Sequence, residues 1–210
     1  HDGVDVSDQR VIVVGTGSSG VQAIPMLARD AAHLTVLQRT ATYTAPARNG
    51  ALDPEHEADV KSRYPEFRAL LQKRATAFGA SYPRTDGNTF DHTPEDRERI
   101  LEHRWQLGGF ALTTSFYDVL LDQDANDEVA EFVRRKIRDL VDDPDTAALL
   151  CPKQTFSCKR MCVDSGYYET FNRPDVSLVS VSDNPIERAT SSGLELRDGT
   201  MIEADIVVFA

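Results

Sequence analysis

Cations are in short supply in this 210-residue chain: 23 lysines and arginines stand against 34 aspartates and glutamates, a formal net charge of −11. That balance excludes the basic surfaces with which proteins engage phosphate backbones and anionic lipid, so neither nucleic acid nor a membrane is an expected partner. No apolar run is long enough to cross a bilayer and no signal-peptide pattern is present, which makes the cytoplasm the expected location. Cysteine is scarce as well. Cys151, Cys158 and Cys162 form an odd set with no C-x-x-C and no paired histidine–cysteine spacing. They predict free thiols in a reducing compartment, with neither a disulfide framework nor a metal site. The single tryptophan, Trp105, reads as helix packing. The chain is long enough for one good core, or one core with a large insert.

What is present is concentrated near the start. Val11-Ile-Val-Val14 leads into Gly15-Thr-Gly17-Ser-Ser-Gly20, a buried strand followed by glycines at the G-x-G-x-x-G spacing. In that pattern Gly15 makes the tight turn, Gly17 admits a pyrophosphate and Gly20 lets the next helix pack on the strand. The helix, read as Ser19 to Ala31 with Val21, Ile24, Leu27 and Ala28 on one face, offers free amides to phosphate at its start. Thr16, Ser18 and Ser19 can add hydroxyl donors, or simply cap the helix.

The second strand, from Leu34, ends in Gln38-Arg39-Thr40, with Arg39 19 residues past Gly20. An NAD site places a carboxylate about 20 residues on to hold the ribose 2′-hydroxyl, whereas a 2′-phosphate needs a cation there. A guanidinium grips phosphate through two parallel hydrogen bonds, so Arg39 and Thr40 point to NADP(H).

Thr42 to Asn49 reads as a linker. From 51 to 150 the pattern is helical and charge-rich, with start signals at Asp53-Pro54-Glu55 and Thr93-Pro94-Glu95 and a loop predicted over Phe78 to Phe90. Asp124 to Val141 carries Val129, Phe132, Val133, Ile137, Leu140 and Val141 on one face. Arg134, Arg135, Lys136 and Arg138 are expected on a solvated face opposite. The β pattern returns at Val176 to Val181, in a hairpin of Leu194–Arg197 and Thr200–Glu203 around Asp198-Gly199, and in Asp205 to Ala210, which reads as a central parallel strand. The expected fold is α/β, a Rossmann-like three-layer dinucleotide-binding domain of residues 1–50 and 151–210, interrupted by a mostly helical insertion, 51–150.

Several separated segments together resemble the NADPH domain of Baeyer–Villiger monooxygenases of the cyclohexanone monooxygenase type, a class B flavoprotein monooxygenase family. They are Val14-Gly-Thr-Gly-Ser-Ser-Gly-Val-Gln22, His33 to Thr40, Trp105-Gln-Leu-Gly-Gly109, Ala125-Asn126, Cys158-Lys-Arg160 and Asp164-Ser-Gly-Tyr-Tyr to Val176. The resemblance implies an oxidoreductase that uses NADPH, FAD and molecular oxygen to convert ketones, cyclic ones such as cyclohexanone included, to esters or lactones. FAD would sit on a separate domain of the same polypeptide. By match of motif Gln22 joins the nucleotide site with the glycine turn, and Lys159 joins Arg39 and Thr40 on the 2′-phosphate. Arg160 would be the catalytic arginine that stabilises the flavin peroxide anion and positions the nicotinamide. A guanidinium suits that task because it keeps its proton at alkaline pH. Neighbours in extended backbone point opposite ways, so Lys159 and Arg160 can serve different sites. Asp164, Tyr167 and Tyr168 read as structural.

The family's fingerprint of Phe, Gly, His and Trp would lie just before His1, and its Ala-Thr-Gly motif would begin at Ala210. A glycine motif for FAD is absent. The expectation is therefore a piece of a longer protein, inactive alone toward ketones. Two other readings stay open: the NADPH domain of an N- or S-oxygenating flavin monooxygenase, and an NADP-sensing or interaction module with no catalysis.

Overall fold

β1 (Arg10–Val14), α1 (Ser18–Asp30) and β2 (His33–Gln38) follow one another in the order that the glycine spacing predicts. In this computed structural model, which describes residues 3–74, 82 and 85–210, the two strands lie at the centre of a parallel four-stranded sheet. Its order is β5-β2-β1-β9, with β5 at Val176–Ser180 and β9 at Ile206–Phe209. β1 and β2 carry apolar residues on both faces because both faces are covered, with Arg10, His33 and Gln38 at their ends and Thr35 between. Val11, Val13, Leu34 and Val36 pack on one side with Val21, Ile24 and Ala28 of α1. Ile12 and Leu37 point the other way, onto Leu194, Leu196 and Ala204. Each side chain so buried contributes roughly 1.5–3 kcal/mol.

That second face is covered by an antiparallel sheet, β6 (Ile186–Thr190), β7 (Gly193–Leu196) and β8 (Met201–Glu203). The sequence predicts only the β7–β8 hairpin. β6 is mostly exposed and its register slips between Ile186 and Arg188, so it lacks the alternation that announces a strand. The three layers are thus helices, parallel sheet and antiparallel sheet.

The expected linker at Thr42–Asn49 is corrected by the structure: β3 (Thr44–Pro46) pairs in parallel with β4 (Cys162–Asp164). The Thr44 hydroxyl donates to Asp164, whose other carboxylate oxygen accepts from the Gly166 and Tyr167 amides. Asp164 and the buried tyrosines of α7 (Tyr167–Thr170) are structural, as expected.

Between β3 and β4 run α2 (Pro54–Ser62), α3 (Tyr64–Lys73), α4 (Pro94–Leu107), α5 (Gln123–Leu140) and α6 (Pro144–Leu150). Asp53, Thr93, Asp122 and Asp143 each accept an amide hydrogen bond at a helix start. Pro144 therefore opens α6 as well as lying beyond α5. Of the loop predicted over Phe78–Phe90, residues 78–81, 83 and 84 lie outside the described residues; its end runs into a 3₁₀ turn, Thr89–Asp91. Trp105 packs edge-on against Phe132 at 6.2 Å.

The cationic face expected on α5 is only partly solvated. Arg135 and Arg138 are exposed and pair with Glu98 and Glu131. Lys136 lies over the Phe132 ring and meets Glu102. Arg134 is largely buried and turns inward, donating to the Pro152 carbonyl at 2.8 Å and the Tyr43 hydroxyl at 3.1 Å. The Pro152 carbonyl, the Tyr43 hydroxyl and Glu131 together hold the guanidinium, while the stem adds to the helix's packed face.

Candidate functional site

Gly15 takes φ +111°, a turn that L side chains rarely adopt, and a Cβ there would meet the Ala210 carbonyl oxygen. A Cβ on Gly20 would lie 2.3 Å from the Gly15 carbonyl oxygen. Gly17 differs. Its backbone is extended, with φ −77° and ψ −168°, and a Cβ there would meet nothing within 4 Å. Neither conformation nor protein contact demands glycine at this position; what remains is the open space in front of α1. The first turn of α1 has no side-chain cap and no acidic residue, so its leading amides face that space unneutralised.

The space is a cleft of about 710 Å³ at the carboxyl ends of β1 and β2. Gly15, Thr16 and Gly17 form one wall, Arg39 and Thr40 another, and Lys159 reaches in from the loop after α6. Among the described residues Arg39, Lys159 and Arg160 enter no ion pair. Most of the chain's other arginines do, for example Arg10 with Asp205 and Arg97 with Glu128. Two exposed, unpaired cations therefore converge on a cleft that also faces a helix N-terminus, the arrangement that holds a phosphorylated ligand.

No protein-family model matches the chain. A curated Baeyer–Villiger monooxygenase from Pseudooceanicola batsensis is 39% identical over 211 residues, covering 100% of this chain and 38% of the relative. The phenazine N-monooxygenase PhzNO1 of Lysobacter antibioticus is 35% identical over 99% of this chain and 38% of its own length. The solved structure of an oxidised steroid monooxygenase bound to NADP superposes with a TM-score of 0.91 and 41% identity, over 100% of this chain and 40% of that one. The chain is homologous to Baeyer–Villiger monooxygenases. It spans 38% of the length of the curated relatives just described.

Against this Baeyer–Villiger background the placement of each expected residue is specific. Gly15, Thr16, Gly17, Arg39, Thr40 and Lys159 share the cleft. Ser18, Ser19 and Gln22 are exposed on α1, and Gly20 is buried beneath the turn; none of the four lines the cleft. Thr16 donates its hydroxyl hydrogen to the Thr40 carbonyl at 3.1 Å, tying the glycine turn to the cation-bearing segment. Arg160 is exposed and outside the lining, so consecutive cations take different directions.

Other lining residues carry no sequence signal. Gln154 lines the cleft and donates to the Ala41 carbonyl at 2.8 Å. Val181, Pro185 and Ile186 give the cleft an apolar side. Behind it, burial raises the Tyr43 hydroxyl above the ordinary phenol range and the Arg134 guanidinium draws it partly back. The three cysteines are free, with Cys162 buried, Cys151 half-buried and Cys158 exposed. Among the described residues no helix is long and apolar enough to cross a membrane, and no cluster of metal-ligating side chains occurs.

Proposed function

We propose that the cleft binds NADP(H) and that the chain is the NADP(H)-binding domain of an FAD-dependent Baeyer–Villiger monooxygenase. In this reading residues 1–50 and 151–210 form the nucleotide domain and 51–150 the helical insertion. The observation that carries it is the convergence of unpaired Arg39 and Lys159 on a cleft fronted by Gly17. The residues fit the nucleotide. The amides at the start of α1 take the pyrophosphate, and Gly17 leaves room for its approach. Arg39, Thr40 and Lys159 take the 2′-phosphate. Ser18, Ser19 and Gln22, outside the cleft lining, are assigned to the nucleotide site only as residues of the first two turns of α1, behind those amides.

When bound, NADPH supplies the hydride that reduces FAD, and the reduced flavin with molecular oxygen inserts one oxygen atom beside a ketone carbonyl, giving an ester or lactone. FAD belongs to a further domain of the same polypeptide, and the cytoplasm is the compartment that supplies NADPH and keeps the three thiols reduced. Arg160, outside the cleft and without an ion pair, is the residue we assign to the reacting centre. The delocalised, bidentate guanidinium is the side chain suited to holding charge that develops on oxygen.

Titration with NADPH and NADH tests the nucleotide assignment. Arg39→Ala and Lys159→Ala should each weaken NADPH by about 1–3 kcal/mol, the worth of charged hydrogen bonds, and leave NADH nearly unchanged. Tighter binding of NADH than NADPH by the unsubstituted protein refutes it. In the full-length protein Arg160→Ala should keep nucleotide affinity and lose oxygenation. The similarity to a phenazine N-monooxygenase favours a second reading, oxygenation of nitrogen. Products from cyclohexanone and from a heteroaromatic amine decide between the two.

A further inference from the structure

The two sides of the cation pocket are far apart in sequence, and the helical stretch between β3 and β4 holds them together. Segment 39–43 carries Arg39 and Thr40; segment 152–159 carries Lys159. Arg134 of α5 reaches both. Its Nε donates to the Pro152 carbonyl at 2.8 Å and its Nη2 to the Tyr43 hydroxyl at 3.1 Å. The Tyr43 hydroxyl donates in turn to the Gln154 carbonyl at 2.8 Å, and the Gln154 amide closes the circuit on the Ala41 carbonyl at 2.8 Å. About two turns earlier on the same helix, Asn126 holds Phe156 from both sides: its Oδ1 accepts from the Phe156 amide at 2.8 Å and its Nδ2 donates to the Phe156 carbonyl at 3.0 Å.

A bundle of surface cations has no need of such a frame. Tyr43 is 3% exposed and Asn126 4%; the Asn126 bonds are buried, in low dielectric where geometry is sharply enforced, and those of Arg134 and Gln154 are half-buried. A guanidinium is the side chain suited to the junction because its planar fork addresses two acceptors at once, which an ammonium does less well. Arg134 is not among the residues that line the cleft; besides an ion pair with Glu131 on its own helix, it reaches the cleft through the Tyr43 hydroxyl and the Pro152 carbonyl.

We propose that Arg134 is a positioning residue for nucleotide choice: from α5 it fixes the spacing between the Arg39–Thr40 side and the Lys159 side of the cleft, so that both engage one 2′-phosphate. The inference rests on the NADP(H) reading above. It assigns to the helical stretch a part in discriminating NADPH from NADH, in addition to its bulk. A dianion held by two cations is sensitive to their separation, since charge-assisted hydrogen bonds are short and weaken steeply as donor and acceptor move apart or out of line. The ribose 2′-hydroxyl of NADH makes no comparable demand.

The test measures dissociation constants for NADPH and NADH in the full-length protein carrying Arg134→Met, which keeps most of the apolar stem, and Tyr43→Phe, which keeps the ring. Arg134→Met should weaken NADPH about tenfold and Tyr43→Phe several-fold, on the scale of one to two lost hydrogen bonds, with NADH within about twofold of its original value. A parallel loss of both nucleotides, or no change in either, overturns the proposal. If Arg134→Met does not accumulate as folded protein, the near-isosteric Tyr43→Phe decides by the same criterion. Arg39→Ala separates the two levels. Should it leave the NADPH preference intact, the NADP(H) reading fails and this inference with it; should it abolish the preference while Arg134→Met and Tyr43→Phe preserve it, only the positioning role fails.

Discussion

The glycines of the turn separate by experiment into those that the fold requires and one that a ligand requires. Gly17→Ala adds a methyl group that meets no atom within 4 Å, on a backbone at φ −77° that alanine adopts freely. The cost to folding is confined to a poorer helix cap, up to about 1 kcal/mol. Gly20→Ala places its methyl carbon 2.3 Å from the Gly15 carbonyl oxygen and 3.1 Å from the carbonyl carbon. That neighbour is backbone, tethered by the Gly15 amide to the Leu37 carbonyl at 3.0 Å, and it cannot swing away as a side chain can. In an open helix the same change gains about 1 kcal/mol; here contact with fixed backbone puts overpacking at the upper end of its range, about 3 kcal/mol, for a net loss of about 2 kcal/mol. At roughly 2–4 °C per kcal/mol for a chain of this size, Gly20→Ala should melt about 4–8 °C lower and Gly17→Ala within about 4 °C of the parent. NADPH titration then gives the complementary result, with Gly17→Ala sharply weakened. Unchanged NADPH affinity in Gly17→Ala means that the pyrophosphate does not occupy the space in front of α1. A Gly20→Ala protein as stable as its parent means that the close helix-to-turn contact is not what holds glycine there.

Asn126→Ala strips three buried hydrogen bonds, leaving the Phe156 amide and the Val119 and Phe156 carbonyls without their partner. It should cost about 3 kcal/mol or more in urea denaturation, and a loss under about 1 kcal/mol refutes the accounting. At the sheet edge, Arg10 donates to Asp205 from its backbone amide and its guanidinium, holding that carboxyl down at about 2 from its ordinary 3.8. A depressed carboxyl stabilises the fold above its ordinary value and loses that contribution as pH falls through about 2. Asp205→Asn should accordingly flatten the decline of melting temperature between about pH 4 and 2, and an unaltered acid limb counts against the pairing.

Legibility from sequence follows from how local each cause is. β1, α1 and β2 are readable because their apolar periods and the glycine turn lie within 30 residues of one another. β3 is not, because Thr44–Pro46 is a strand only by virtue of Cys162–Asp164, a three-residue partner over a hundred positions away. The period of α5 places Val129, Phe132, Val133 and Ile137 in the core as expected. It cannot tell that Arg134, at the border of that stripe, turns toward a carbonyl of the 151–160 loop while Arg135 turns to Glu98. The cleft shows the same division. Arg39 and Thr40 are legible from their distance to the glycines, and Lys159 from its motif, whereas Gln154 has neither period nor motif and becomes a cleft residue only through tertiary contact.

The net charge of −11 and the proposed anionic ligand are reconciled by range. At physiological ionic strength charges are screened beyond about 8 Å, so the acidic exterior acts weakly on a phosphate already inside the cleft. The nearest full charges there are Arg39 and Lys159, with the partial charge of the α1 N-terminus behind them. In a chain so rich in carboxylates a stray cation readily finds a partner, as Arg63 does in Asp59, Arg99 in Asp96 and Arg188 in Glu195. Keeping Arg39 and Lys159 unpaired requires that their supporting segments be held away from acidic neighbours. The Arg134, Tyr43 and Gln154 circuit and the Thr16 bond to Thr40 do this by fixing backbone carbonyls, which add no formal charge to the pocket. The cleft thus stays positive within an acidic protein because neutral groups frame it, and the carboxylate that Arg134 meets, Glu131, lies on α5 and outside the cleft lining.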